Sequence, residues 1–224
     1  MSILSTSDIL ICINSCERDL KSVEKIKESD WYKYCNSKEN IRVIFYYADP
    51  SLGKDDFHYE TNTEILKVNT EECYDNLSIK TFKMLSCCST IFHFDFLLKI
   101  DCRIIDNLHN HTSPLFSFEN FKKCFYDESM FDDYGGFTPI IGSTVEGFRN
   151  WASSKKLFVL PEIFISNYSL DGLPDHYWAG GGYCLSKKYV SKVIKQKDLF
   201  EDCKNLMGGC EDMCVGIACN YETN

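Results

Sequence analysis

The segment 72–106 restricts the fold most, because a helix pattern leads directly into the pattern of a buried strand. Apolar side chains at Leu77, Met84 and Cys88 recur at the spacing of one helical face. The range Phe94–Ile100 is too short and too apolar for a surface helix, so it predicts a strand covered on both faces. A helix followed directly by a buried strand indicates an α/β fold.

Other segments extend this sheet. The apolar runs Asp8–Asn14 (DILICIN) and Ile41–Tyr47 (IRVIFYY) predict two further strands, and Glu64–Val68 predicts a short third one. The charged segment Glu17–Trp31 between the first two predicts a helix. Alternating strands and helices favour a mostly parallel central sheet with right-handed crossovers and helices on its faces.

The second half is predicted in less detail. The segment Leu157–Phe164 contains Pro161 and is typical of an edge strand, and Leu185–Lys197 has the pattern of an amphipathic helix. The acidic pair Glu211 and Asp212 follows two glycines and precedes a short apolar segment, so we expect a carboxylate at the start of a helix.

Composition limits the class of protein. A chain of 224 residues that is 44% hydrophobic suits one domain spanning residues 1–224. Its net charge of −9 argues against nucleic acid or an anionic membrane as a partner. No apolar run approaches the roughly 20 residues that cross a bilayer. The 13 scattered cysteines lack the paired spacing of a zinc site and favour a reducing compartment, so we expect a soluble, cytoplasmic protein.

Polar residues follow two of the predicted strands. Asn14 and Ser15 end the first strand, and Asp101-Cys102-Arg103 ends the strand after the central helix. Ligands of open α/β sheets bind outside the carboxyl ends of the strands. Asn14 and Ser15 could contact a nucleoside there or form an ordinary turn. Arg18 could bind a diphosphate, or it could be a solvated charge on the helix.

Three sequence blocks resemble one enzyme family. The first is YDNLSIKT at Tyr74–Thr81 with LLKID at Leu97–Asp101, the second is YWAGGGYCLS at Tyr177–Ser186, and the third is EDMCVGI at Glu211–Ile217. They resemble, in the same order, the "Y-x-N-L-T-x-K-T … K-x-D-D-D", "Y-x-x-G-G-G-Y-x-L-S" and "E-D-V-x-x-G" blocks of the β-1,3-galactosyltransferase and Fringe glycosyltransferases. The resemblance spans most of the chain.

This resemblance implies a GT-A-like domain that moves a hexose, with galactose favoured, from a UDP-sugar to a hydroxyl of a glycan or glycoprotein acceptor. The transfer would invert the anomeric carbon, with Asp212 as the general base and Glu211 shaping the site. Asp101 and Asp212 should then face one cavity. Together with the strand ends, the resemblance predicts these nucleotide-sugar-binding residues: Asn14, Ser15, Arg18, Lys80, Asp101, Cys102, Arg103, Trp178, Gly180, Gly181 and Gly182.

One departure from the family concerns the metal. The family has three aspartates where this chain has Asp101, Cys102 and Arg103, and the last aspartate normally holds Mn²⁺. Either Asp101 still recruits a divalent ion, the interpretation we favour from the sequence, or Arg103 supplies the positive charge itself. The altered triplet also leaves open a catalytically silent module that binds a nucleotide sugar or glycan.

Two further departures bear on the extent of the protein. Family members typically carry an N-terminal membrane anchor and continue beyond the third block, whereas this chain has no anchor and ends soon after Asp212. From the resemblance we therefore expect either a minimal cytoplasmic enzyme or a catalytic module of a longer protein. The sequence indicates no oligomeric state.

Overall fold

A computed structural model describes residues 5–53, 56–103, 105, 134–136, 139–141, 149–150, 152–154, 156, 160–168, 176–178 and 182–220. The strands are β1 (Ser5–Thr6), β2 (Ile9–Asn14), β3 (Ile41–Ala48), β4 (Phe57–Glu60), β5 (Ile65–Val68), β6 (Phe92–His93), β7 (Phe96–Asp101), β8 (Tyr134–Gly136), β9 (Pro139–Ile141), β10 (His176–Trp178) and β11 (Gly182–Ser186). The helices are α1 (Leu20–Glu28), α2 (Asp30–Asn36), α3 (Leu77–Ile91), α4 (Leu160–Asn167), α5 (Lys187–Val193), α6 (Lys197–Met207) and α7 (Glu211–Asn220).

The central sheet has seven strands in the order β4-β5-β3-β2-β7-β11-β8. Its middle strands β5, β3, β2 and β7 are parallel, and β4, β11 and β8 add antiparallel pairings at the two sides. This arrangement confirms the predicted α/β architecture with a mostly parallel sheet flanked by helices, as in a GT-A-like domain.

Strand β2 shows why the apolar runs become central strands. Leu10 and Cys12 pack into one hydrophobic cluster, and Ile11 and Ile13 pack into a second cluster on the opposite face of the sheet. Alternate side chains of a strand point to opposite faces, so a strand covered on both faces must be apolar at every position.

Helices cover both faces of the sheet. The predicted helix Leu77–Cys88 is present as α3, which buries Met84 and Leu85 and packs against α5, α6 and α7. On the other face, α1 and α2 bury Ile26 and Trp31 in the cluster that contains Val43. The predicted single helix Glu17–Trp31 is divided, because Ser29 caps α2 by accepting a hydrogen bond from the Tyr32 amide.

The predicted edge strand at Leu157–Phe164 is wrong. Its described part belongs to helix α4, which begins at Leu160 and buries Phe164. Pro161 misled the prediction, because proline suits both an edge strand and the first turn of a helix, where its missing N–H is not needed. Residues 157–159 lie outside the described residues.

The predicted helix Leu185–Lys197 is also placed incorrectly at both ends. Leu185 belongs to β11, and Ser186 starts α5 by accepting a hydrogen bond from the Tyr189 amide. A separate helix, α6, begins at Lys197. Strand β4 (Phe57–Glu60) lies between β3 and β5 in the sequence.

The cysteines behave as small apolar side chains. All twelve that the structure describes are free, and each of them except Cys73 is buried. Cys124 lies outside the described residues. Across the described part of the chain, none of the helices combines the length and the apolar character that a bilayer crossing requires.

Candidate functional site

A cavity of about 260 Å³ opens at the carboxyl ends of β2 and β7. These strands are parallel neighbours, and their register sets Asn14 beside Asp101. The Asn14 side-chain amide donates a hydrogen bond to Asp101 Oδ1 at 3.1 Å. The expected position of a ligand crevice, outside the carboxyl ends of the strands, therefore coincides with an open cavity.

Most of the predicted nucleotide-sugar residues lie at this cavity. Its lining includes Asn14, Ser15, Arg18, Lys80, Asp101, Cys102 and Arg103. Gly182 lies instead within β11, paired with Ile100 of β7, and Trp178 lies in the short strand β10. Gly180 and Gly181 lie outside the described residues, so their predicted role stays a prediction.

A buried lysine links the cavity to the acidic pair of α7. Lys99 is fully buried in β7, and its Nζ lies 2.8 Å from Asp101 Oδ1. The same ammonium group donates a hydrogen bond to Glu211 Oε1, and Tyr183 Oη donates to Glu211 Oε2 at 3.0 Å. A buried ammonium group is stable only when it is paired, so Lys99 holds Asp101 and Glu211 on either side of itself.

The shared lysine sets the charge of this cluster. Burial raises the pKa of Glu211 to about 7; Lys99 opposes this rise, whereas Asp212 and Asp101 add to it. Burial would lower the pKa of Lys99, but Asp101 and Glu211 outweigh burial and raise it well above its ordinary value. Lys99 therefore stays charged while it serves two carboxylates.

Asp212 is more accessible than Glu211. Glu211 is 3% exposed, whereas Asp212 is partly exposed in the first turn of α7. Asp212 Oδ1 accepts hydrogen bonds from the Met213 amide at 2.9 Å and from Cys210 Sγ at 3.4 Å. The N-terminus of a helix favours a negative charge, so the carboxylate of Asp212 lies in a suitable electrostatic environment.

Tyr74 lines the cavity and lies near Asp212. Burial together with the nearby Cys210 and Asp212 raises the pKa of Tyr74 to about 12. Neither Glu211 nor Asp212 is among the described residues that line the cavity. Contrary to the sequence prediction, the structure therefore does not place Asp212 in the cavity that Asp101 lines; Lys99 contacts Asp101 and Glu211, the residue before Asp212.

Two glycines allow the turn before α7 to lie close to the backbone of Tyr74. Gly208 and Gly209 precede α7 and have φ values of +55° and +79°. A Cβ atom on Gly209 would lie 2.3 Å from the carbonyl oxygen of Tyr74. Only glycine fits at this position, where the turn before α7 rests on the backbone of the turn Tyr74–Asn76.

Lys80 ties α3 to the end of β2. Its Nζ donates hydrogen bonds of 2.7 Å to the Ser15 carbonyl oxygen and to Glu72 Oε2. Burial lowers the pKa of Lys80, and the Glu72 carboxylate opposes that change. Lys80 is 2% exposed, so its main structural role is to hold this wall of the cavity in place.

Two arginines occupy the exposed side of the cavity. Arg18 and Arg103 both line it, and both side chains are exposed. Arg103 Nε lies 3.7 Å from Asp19 Oδ1, and Cys16 Sγ donates to Asp19 Oδ2 at 3.1 Å. The two guanidinium groups are therefore accessible to an anion that enters the cavity.

The side chains at the triplet suit Mn²⁺ poorly. Asp101 Oδ1 is already bound to Lys99 and Asn14, Cys102 is buried, and Arg103 is cationic. Within the described ranges, no three His, Cys, Asp or Glu side chains come together as a metal-binding group. Mn²⁺ prefers several oxygen ligands, so these donors do not fit the ion. Mn²⁺ binding by Asp101 itself stays an untested prediction.

Sequence reasoning missed several members of the site. Lys99 and Tyr183 were not predicted, although a lysine inside an otherwise apolar strand signals a buried anionic partner. Tyr74 was noted only as part of a motif. Asp19 and Glu72 carry no comparable signal, because acidic residues are common in surface helices and loops.

Comparison with known families gives a clear match. Residues 56–221 match the family model described as Galactosyltransferase. This range contains Lys99, Asp101, Glu211 and Asp212, whereas the β2 end of the cavity precedes it. A search of curated proteins finds no match.

Proposed function

The chain belongs to the galactosyltransferase family, and from that premise we propose that it transfers a hexose from a UDP-sugar to a hydroxyl of a glycan or glycoprotein acceptor. Membership of the family supports glycosyl transfer in general, from a sugar donor to a glycan acceptor. Our proposal adds the UDP group, galactose as the favoured sugar, and inversion at the anomeric carbon.

The observation that carries this proposal is the contact of Lys99 with both Asp101 and Glu211. Asp101 ends β7 at the cavity, and Glu211 begins α7 beside Asp212. A displacement reaction needs the leaving group and the general base at fixed positions on either side of the reacting carbon. A shared buried lysine is a rigid way to fix those two parts of the site relative to each other.

The proposed step is a single displacement. The acceptor oxygen forms a bond to the anomeric carbon while the bond from that carbon to the diphosphate oxygen breaks. The electron pair of the broken bond leaves with UDP, and the hydroxyl proton moves to the carboxylate of Asp212. A single carboxylate is sufficient as the base for an inverting transfer.

Of the two acidic residues, Asp212 suits the role of base better. Its side chain is partly exposed, whereas both oxygens of Glu211 are occupied by Lys99 and Tyr183. Glu211 would therefore position α7, and Asp212 would meet the acceptor. Asn14 and Ser15 remain the proposed contacts of the uridine, since both line the cavity at the end of β2.

Release of UDP from UDP-galactose tests the proposal, measured with a panel of glycan acceptors and with other UDP-hexoses for comparison. The substitution Asp212→Asn should lower kcat by about a hundredfold or more, since it removes the general base. Asp198→Asn is a matched control, because Asp198 is an exposed first-turn aspartate of α6. It should leave kcat unchanged.

A catalytically silent module is the second candidate function. It is favoured by one observation, the replacement of two acidic residues of the family triplet by Cys102 and Arg103. A silent module would bind UDP-galactose without transfer or hydrolysis, and Asp212→Asn would change nothing. Acceptor-dependent UDP release that Asp212→Asn abolishes would exclude it.

A further inference from the structure

We propose that Arg18 and Arg103 together bind the leaving diphosphate in place of a divalent metal ion, so that transfer proceeds without one. This inference rests on the proposed function, because it concerns the donor side of the same site. It starts from the poor fit of the triplet Asp101-Cys102-Arg103 to a metal ion.

Asp101 is already engaged by protein groups. A single oxygen of this carboxylate, Oδ1, accepts from the Asn14 amide at 3.1 Å and lies 2.8 Å from Lys99 Nζ. Lys99 is fully buried, so its ammonium group has no water to replace a lost partner. A dication bound to Asp101 would compete with this buried cation and repel it at short range.

The other two positions of the triplet are also unsuited to a metal ion. Cys102 is 1% exposed and packs in the hydrophobic cluster that contains Ile100 and Cys184. Arg103 places a permanent positive charge where a metal ligand would be needed. The triplet therefore offers one carboxylate that is already paired, one buried thiol and one cation.

Several charged side chains around the cavity are paired with one another. Lys80 is paired with Glu72, and Asp101 is paired with Lys99. Asp19 lies 3.7 Å from Arg103 Nε, and Arg18 lies near Cys16, Asp19 and Glu72. The exposed side of the cavity therefore presents two guanidinium groups to an anion that enters it.

A guanidinium group is well suited to bind a diphosphate. Its planar fork of N–H donors matches phosphate oxygens and keeps its charge at every physiological pH. Two such groups can donate to the diphosphate as the bond to the anomeric carbon breaks and negative charge grows on the departing oxygen. The arginines keep their protons throughout, and the acceptor proton still moves to Asp212.

Calorimetric titration with UDP tests this inference directly, first in excess EDTA and then with Mn²⁺ or Mg²⁺ added. We expect UDP to bind in EDTA, with a Kd that changes less than about twofold when either ion is added. Arg103→Ala and Arg18→Ala should each weaken UDP binding by about tenfold or more in EDTA, since each removes a charged hydrogen-bond donor. Arg103→Lys should recover part of the loss, because it keeps the charge without the fork.

Arg149→Ala is the matched control, since Arg149 is exposed and is not among the residues that line the cavity. Its UDP affinity should equal that of the wild type. UDP binding or sugar transfer that requires added Mn²⁺ would overturn the inference and leave the proposed function intact. Wild-type affinity of Arg103→Ala in EDTA would also overturn it. If UDP binds under neither condition, the proposed function itself fails.

Discussion

Lys99 and Glu211 form a buried ion pair across 112 positions of the sequence. Lys99 lies in the strand that ends at the cavity, and Glu211 lies in the first turn of the last helix. The same lysine also contacts Asp101. This pair therefore couples the sheet to the helix that carries Asp212, and the loss of either partner should affect stability and the site together.

Replacement of Lys99 by methionine should destabilise the fold strongly. The side chains are similar in length, but methionine leaves Glu211 buried without its cation. Above pH 7, where Glu211 is ionised, we expect a decrease of about 3 to 5 kcal/mol in the free energy of unfolding, as for other broken buried pairs. Urea denaturation measures this change. Lys188→Met, at an exposed position of α5, should change stability by less than about 0.5 kcal/mol.

The double variant Lys99→Met with Glu211→Gln separates the charge from the packing. It removes the uncompensated carboxylate, so it should recover part of the stability that Lys99→Met loses. A double variant no more stable than Lys99→Met alone would show that the pair contributes through packing rather than through charge.

Stability should depend on pH through Glu211. In the folded protein this carboxyl keeps its proton up to about pH 7, whereas its ordinary pKa is 4.5. Between those values the folded state binds more protons than the unfolded state, so the contribution of Glu211 to the free energy of unfolding falls as pH rises. Glu211→Gln should therefore gain stability relative to the wild type between pH 4.5 and 7. A constant difference across that range would contradict the raised pKa.

Removal of the Tyr183 hydroxyl tests the second partner of Glu211. Tyr183→Phe takes away the donor to Glu211 Oε2 without changing the ring that packs in the core. We expect a loss of about 1 to 3 kcal/mol in the free energy of unfolding, because a buried carboxyl oxygen is left without its donor. The pKa of Glu211 should rise further, so the decrease in stability should continue to higher pH than in the wild type. An unchanged pH dependence would argue against this hydrogen bond.

The sequence was sufficient for the layers of the fold because burial leaves a local pattern. Ile9–Ile13 and Leu97–Ile100 have almost continuous apolar runs, and both are central strands of the sheet. The helix at Leu77 carries its apolar face at helical spacing. Errors arose where local rules allow two structures, as at Pro161, or where Ser186 switches the chain from strand to helix.

The site was predictable only in part. Strand ends and motif resemblance located Asn14, Ser15 and Asp101, which the structure brings to one cavity. The pairing of Lys99 with Glu211 depends on how α7 packs against the sheet, and no local pattern encodes it. For the same reason, the sequence could not show that Asp101 is already engaged by a buried cation.

The contact between Gly209 and the backbone of Tyr74 gives the last prediction. Gly209→Ala should destabilise the protein by more than about 2 kcal/mol, because alanine at φ +79° is strained and its Cβ would collide with the Tyr74 carbonyl oxygen. Gly53→Ala is the matched control: Gly53 has φ +64°, but nothing lies within 4 Å of its added Cβ. It should lose stability through backbone strain alone, because φ +64° with ψ −111° suits glycine and not alanine. Since Gly209 places α7 beside Tyr74, its alanine variant should also reduce UDP release more than Gly53→Ala does. Equal effects of the two substitutions on stability, measured by urea denaturation, would show that the contact with Tyr74 is unimportant.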